Sequence, residues 1–227
     1  MAGRVLRVAT RARLEPLSVP IAAPATEVGG LLLTGGSSRR LGVDKAVLVV
    51  HGQRLADHAA GVLGAVCARV VEVGPGITSL PACREDPPGR GPLAALVAGA
   101  AALGADATEG VMLLACDLPA VEAPLVELIA RWPGHSTVVP VADGRPQLVC
   151  ARYGPDALAV AAQALVEGER SLRSLLERVD HDLLDPSDWG AVAPPDAFAD
   201  VDTPADLARI RRAPVRAIDD PTAGRVE

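Results

Sequence analysis

Aromatic residues are almost missing from this chain: two Trp, one Tyr and one Phe among 227 residues. With 49% of the residues hydrophobic and 22% charged, the composition is that of an ordinary globular protein, but its core has to be built from Ala, Val and Leu. An excess of positive charge is absent too. Lys and Arg number 22 against 28 Asp and Glu, a net charge of −6, which argues against broad nucleic-acid binding. A phosphate site must then be a local basic cluster in an acidic protein, which suits a small anionic ligand better than a polyanion. Cys67, Cys83, Cys116 and Cys150 lie far apart without a Cys-x-x-Cys pair, and His51, His58, His135 and His181 do not join them at metal-ligand spacing. They read as small buried apolar residues in a reducing, cytoplasmic setting rather than as a disulfide or zinc framework. The longest apolar stretch, 92–103, is too short to span a bilayer and reads as a core helix. There is no internal repeat, no Walker spacing and no Gly-x-Gly-x-x-Gly dinucleotide fingerprint.

What is present is centred on residues 31–45, where the apolar run Leu31-Leu32-Leu33-Thr34 ends in Gly35-Gly36 and is followed by Arg39, Arg40 and Lys45. Glycines at the end of a strand let backbone N–H groups approach an anion closely, and the cations supply countercharge: forked for arginine, a movable point charge for lysine. The plain structural alternative is a glycine turn between a buried strand and a solvated basic loop, and the stretch by itself leaves the two nearly even.

Along the chain, residues 1–27 combine scattered arginines with Pro16, Pro20 and Pro24 and read as a flexible leader. A first strand is expected over 28–33, an extended piece and turn over 46–52, and a helix over 53–67. Strands at 70–73 and 111–115 alternate with helices at 93–103 and 123–131, which points to a single Rossmann-like domain with an open, mostly parallel sheet flanked by helices. In such sheets ligands sit beyond the carboxyl ends of the strands, where Asp86, Asp117 and the 35–45 loop all fall. Segments 137–141 and 148–152 flank the turn dipeptide Asp143-Gly144 and are expected as a hairpin or neighbouring strands. Helices are expected over 155–166, 171–179 and 204–212, the last capped by Thr203 with Pro204 at its first position. Residues 28–212 form the domain in this reading, and 213–227 a tail.

Asp117 closes an apolar strand just before Pro119. A hard carboxylate at a phosphate crevice is what Mg²⁺ requires, although an Asp at such a turn is by itself more often a helix cap.

The spacing Gly-Gly-x-Ser-x-Arg-x-Gly-x-Asp-Lys from Gly35 to Lys45, together with Cys116-Asp117-x-Pro119, resembles the signature of the MobA-like nucleotidyltransferases. The resemblance runs from Val28 to about Arg211. It implies a fold of nucleotide-diphospho-sugar transferase type and a Mg²⁺-dependent transfer of GMP from GTP to the terminal phosphate of a molybdenum–molybdopterin cofactor. Transient contacts with cofactor-biosynthesis proteins or molybdoenzymes are implied as well, with no nucleic-acid or membrane partner. By the same resemblance Leu33, Thr34, Gly35, Gly36, Lys45, Asp86, Gly91 and Asp117 are nucleotide-binding. Arg40, Lys45 and Asp117 are catalytic, and Asp117 with Asp202 holds the metal. Arg145, Gln147, Arg170 and Arg173 are acceptor-binding candidates, each with a solvated surface side chain as its bland alternative; for Asp202 that alternative is the helix N-terminus it shares with Thr203. Thr34 stands where the family usually has alanine, and a family asparagine after the second strand is replaced near Val73. Asp200-Val201-Asp202 replaces the usual Asn-x-Asn and leans toward cytidylyltransferases, whereas Gly35-Gly36 favours guanine. A cytidylyl or sugar-nucleotide transferase, or a nucleotide-binding module without activity, remains an alternative.

Overall fold

The structure, a computed structural model, describes residues 26–35, 45–134 and 136–212. The expected leader up to residue 25, the tail from 213, and Gly36 and Arg40 lie outside the described residues. Ten strands occur in chain order: β1 (Gly29–Leu33), β2 (Val49–Val50), β3 (Gln53–Arg54), β4 (Val70–Val73), β5 (Ala82–Cys83), β6 (Val111–Ala115), β7 (Val138–Ala142), β8 (Arg145–Pro146), β9 (Cys150–Tyr153) and β10 (Asp182–Leu184). The helices are α1 (Leu55–Val66), α2 (Pro92–Leu103), α3 (Ala123–Arg131), α4 (Pro155–Val166), α5 (Leu172–Leu176), α6 (Pro186–Trp189) and α7 (Pro204–Arg212).

The main sheet runs β10-β7-β9-β6-β1-β4-β5, with β8 paired to β7 at the side. All neighbours along it are parallel except at β9, which runs against both β6 and β7. Strand β1 lies between β4 and β6, because the chain first adds β4 and β5 on one side and then returns to place β6 on the other. That reversal opens a crevice above the carboxyl ends of β1 and β6, the usual ligand position in open α/β sheets.

Continuous apolar strands such as Leu31-Leu32-Leu33 and Val111-Met112-Leu113-Leu114 demand cover on both faces, and both are covered. Leu32, Met112 and Leu114 pack with α1, α3 and Trp189 on one face. Leu31, Leu33, Val111 and Leu113 pack with α2, α4 and α5 on the other. The core is aliphatic, as the composition requires. All four cysteines are free, and burial pushes the thiols of Cys67 and Cys150 up to about 12, which leaves them unreactive. Among the described residues no helix is long and apolar enough to cross a membrane.

Several expected boundaries shift. The helix expected from 53 begins at Leu55, because Gln53–Arg54 pairs antiparallel with Val49–Val50 across a tight turn whose central residues, His51 and Gly52, both have positive φ. Lys45–Val47 forms a single 3₁₀ turn rather than an extended piece. Asp143-Gly144 does turn a hairpin, but between β7 and the two-residue β8, while β9 is the separate neighbouring strand. The helix expected over 171–179 is the shorter Leu172–Leu176. Strand β10 carries no readable signal, being three residues with a buried aspartate at its start.

Candidate active site

The crevice at the ends of β1 and β6 is a cleft of about 730 Å³ lined by Leu33, Thr34, Gly35, Lys45, Val73, Gly74, Pro75, Arg84, Glu85, Pro88, Gly89, Gly91, Pro92, Ala95, Ala115, Cys116, Asp117 and Val149. Its volume lies in the range of small-molecule and cofactor sites. The rim is tied together by backbone bonds: Cys116 N–H donates to Leu33 O at 3.1 Å and Thr34 N–H to Val73 O at 3.2 Å. These bonds extend the β6–β1–β4 ladder one residue into the loops, so the loop residues inherit the rigidity of the sheet.

The chemical centre is Lys45. Its ammonium donates to Asp117 Oδ2 at 2.8 Å and also to Asp202 Oδ1. Burial alone would lower the lysine's pKa, but the hydrogen bonds and charges of Asp117 and Asp202 outweigh it and hold the group above its ordinary value. Lys45 therefore stays cationic at neutral pH. Asp202 arrives from 157 positions beyond Lys45: Val201 is fully buried against Val50 and Leu55, with Leu207 and Ile210 of α7 packed on the same cluster, and its N–H donates to Asp117 O at 3.1 Å. That single backbone bond brings the two carboxylates onto one lysine. Asp202 is thus not the helix cap. Thr203 is: its Oγ1 accepts from Asp206 N–H at 3.2 Å, while Asp206 Oδ2 accepts from Thr203 N–H at 2.9 Å.

Among the described residues, carboxylates outnumber cations around Lys45. A third, Asp200, lies close enough that its pKa is raised, first by burial and then by the charges of Asp202 and Asp117. Two converging hard carboxylates with Lys45 between them fit a divalent cation, since Mg²⁺ takes one or two protein carboxylates and completes its shell with waters and substrate phosphates. Among the described residues no group of three or more His, Cys, Asp or Glu side chains forms a closed metal cage, so most of the shell would have to come from substrate and solvent.

Of the other expected site residues, Leu33, Thr34, Gly35 and Gly91 line the cleft. Gly91 has φ 96°, and a Cβ there would lie 3.2 Å from Arg170 O, so the residue must be small in a left-handed turn directly before α2. Asp86 is exposed and is not among the lining residues; its neighbour Glu85 lines the cleft instead, with Oε1 accepting from Gly89 N–H at 2.9 Å. Arg145, Gln147, Arg170 and Arg173 also fall outside the lining, though the Arg170 backbone supports Gly91. Gln147 donates to Arg145 O at 3.0 Å within its own loop.

Two features escaped the sequence reading. Glu72, 0% exposed in β4, accepts five hydrogen bonds: Oε1 from Thr34 Oγ1 (2.6 Å), Gly76 N (2.8 Å) and Ile77 N (2.8 Å), and Oε2 from Thr78 N (2.8 Å) and Thr78 Oγ1 (2.7 Å). This carboxylate organises the whole 74–78 wall of the cleft, and it explains why position 34 carries a hydroxyl. The available signal was a lone charge in the buried strand Val70-Val71-Glu72-Val73. The other feature is Arg84, whose Nε donates to Gly74 O at 2.9 Å on the cleft wall.

A family model for the MobA-like NTP transferase domain matches residues 30–183. The chain belongs to the MobA-like NTP transferase family. Among curated relatives, a Mycobacterium tuberculosis protein named "Probable molybdenum cofactor guanylyltransferase" is 36% identical over 179 residues, covering 74% of this chain and 85% of its own length. Among solved structures, molybdopterin-guanine dinucleotide biosynthesis protein A from Archaeoglobus fulgidus superposes with a TM-score of 0.69 at 20% identity, over 81% of this chain and 97% of that one. The 2-C-methyl-D-erythritol 4-phosphate cytidylyltransferase of Thermus thermophilus does so with a TM-score of 0.56 at 18% identity, over 82% of this chain and 98% of that one. At such identities the two structures speak for the fold of this MobA-like chain, which is of nucleotide-diphospho-sugar transferase type.

Proposed function

We propose that this nucleotidyltransferase moves GMP from GTP onto the terminal phosphate of a molybdenum–molybdopterin cofactor. An oxygen of the acceptor phosphate attacks the α-phosphorus in line, the α–β phosphoanhydride bond breaks, and pyrophosphate leaves with the bonding electrons. The acceptor phosphate is already a nucleophile at neutral pH, so alignment and charge neutralisation are what the protein must supply. The observation that carries this reading is the Lys45–Asp117–Asp202 constellation at the phosphate end of the cleft, supported by the guanylyltransferase name of the 36% identical relative.

Asp117 and Asp202 are the residues we assign to Mg²⁺, which when bound would offset charge on the α-phosphate and the leaving group. Lys45 holds the two carboxylates in register and presents a cation to the leaving oxygens. The first helical turn of α2 has Pro92 and Ala95 on the cleft, so its positive end would favour an anion bound there. Arg40, outside the described residues, is assigned the leaving pyrophosphate through the family resemblance alone. Asp86, Arg145, Gln147, Arg170 and Arg173 stay as expected contacts only through family resemblance. A cytoplasmic setting belongs to the same reading.

Asp-Val-Asp-Thr-Pro at 200–204 favours one second reading, cytidylyl transfer by the same machinery. Thermal stabilisation by GTP, CTP, ATP and UTP with Mg²⁺ separates the two, because a ligand that binds only the folded state raises stability by mass action. A selective GTP shift, followed by pyrophosphate release only when the molybdopterin acceptor is added, is the expected result. A selective CTP shift overturns the guanine assignment, and GTP binding without pyrophosphate release indicates a binding module.

A further inference from the structure

The cleft holds two described cations, and they differ in how they are engaged. Lys45 is bound to Asp117 and Asp202. Arg84, just beyond β5, uses one of its five N–H donors, the Nε–H, on Gly74 O, and among the described residues its Nη1 and Nη2 make no hydrogen bond or ion pair. The carbonyl that holds it is itself positioned, since Gly74 N–H donates to Cys83 O at 2.9 Å. Glu85 does not neutralise the guanidinium, being turned to Gly89 N–H. The exposed Arg84 is thus anchored at Nε by the backbone while its outer fork stays available.

The place of this fork in the sheet limits what it can meet. Asp117 follows β6, and Arg84 follows β5, three strand positions away in the order β6-β1-β4-β5. At about 4.8 Å per strand this is a span of about 14 Å, the reach of an extended nucleotide rather than of a phosphate chain alone. With the phosphates at Lys45 and Asp117, the far end of the ligand lies among Val73, Pro75, Pro88 and Gly89, a wall of small and ring side chains that suits a flat ring.

We propose that Arg84 is the base-reading residue of this cleft, its two Nη groups donating to O6 and N7 of guanine. This deepens the guanylyl-transfer reading and rests on it. Guanine offers two adjacent acceptors on that edge, the pattern a guanidinium fork matches, whereas adenine offers one acceptor and an amino group that opposes the fork. Arg84 thus selects guanine over adenine without touching the phosphates.

The test edits both partners. Dissociation constants with Mg²⁺ are measured by calorimetry for GTP, inosine triphosphate, 7-deaza-GTP and ATP on the full chain and on its Arg84→Ala and Arg84→Lys variants, with unchanged circular dichroism as the check on folding. GTP and inosine triphosphate, which share O6 and N7, are expected to weaken about tenfold to a hundredfold in Arg84→Ala, the range of one forked pair. 7-Deaza-GTP, which has lost N7, is expected to bind weakly to the parent chain and to change much less in Arg84→Ala. Arg84→Lys restores only part of the GTP affinity, because an ammonium is not a fork. Equal losses for GTP, 7-deaza-GTP and ATP overturn the proposal and make Arg84 a general anion contact. Tight GTP binding unaffected by Arg84→Ala overturns this inference alone, and a parent chain that binds no nucleoside triphosphate overturns the transfer reading as well.

Discussion

Glu72→Gln isolates the buried carboxylate that shapes the cleft wall. Burial alone pushes this carboxyl up, but the bonds from Thr34, Ile77 and Thr78 outweigh it and bring its pKa from 4.5 to about 2. A shift of that size corresponds to about 3 kcal/mol of differential stabilisation of the charged form. Because the folded pKa lies below the unfolded one, this stability is fully present above about pH 4.5 and is lost as pH falls toward 2. The linkage relation gives a loss of about 2 kcal/mol from this group between pH 7 and pH 3. In Glu72→Gln the amide NH₂ must replace one acceptor. Placed at Oε2 it meets Thr78 N–H, and placed at Oε1 it meets both Gly76 and Ile77 N–H, so at least one buried donor loses its partner. We expect the variant to be less stable by about 2–4 kcal/mol at pH 7. The assay is urea unfolding of both proteins at pH steps from 7 to 3. The gap between them should narrow by about 2 kcal/mol over that range. A gap that stays constant, or a variant as stable as the parent at pH 7, would refute the claim that Glu72 is an ionised, fully bonded anchor.

Gly74→Ala would put a Cβ 2.0 Å from Thr34 Oγ1 and 3.0 Å from Gly35 N, so it should destabilise the chain by about 1–3 kcal/mol in denaturant unfolding. Adding Thr34→Ala should restore part of that loss, and simple additivity of the two changes would count against the clash. Lys45→Ala should lower turnover in a pyrophosphate-release assay by about 10²–10³-fold, the scale for one donor aimed at developing charge; a rise in KM with kcat unchanged would assign Lys45 to binding only. Arg152 is buried with its guanidinium on three carbonyls, Ser136 O (2.9 Å), Ala130 O (2.6 Å) and Trp132 O (3.0 Å). Arg152→Met takes this donor from one carbonyl in the last turn of α3 and two beyond it, and thermal unfolding should reveal a loss of about 3 kcal/mol.

Local chemistry made much of this protein legible in one dimension. The apolar runs at 29–33 and 111–115, and the run at 70–73 broken only by Glu72, read as strands covered on both faces. Gly-Pro before Leu93 and Thr-Pro before Ala205 mark helix starts that the structure has at Pro92 and Pro204. The glycine loop and the Cys-Asp-x-Pro turn carried the family resemblance, and the strand-to-loop positions of Thr34, Gly35 and Asp117 then placed them on the crevice. Strand β10 and the Gln53–Arg54 hairpin arm were not legible, because two or three residues carry no periodicity and pair only once their partners are in place.

Residue types, their spacing and the alternation of strand and helix are properties of the chain itself, and they determined the layers, the family and the cleft at the ends of β1 and β6. Which side chains meet depends on how the layers close, and no spacing encodes it. Asp202 reaches Lys45 only because Val201 is buried under α7 and bonds to Asp117 O. Thr34 and Glu72 become partners only because β1 and β4 lie side by side, with Leu32 opposite Glu72. Arg84 faces the cleft only because β5 joins the sheet edge next to β4 and Gly74 O takes its Nε–H. Hydrogen bonds and buried contacts between residues 10 to 157 positions apart act through space, so the tertiary structure alone decided them.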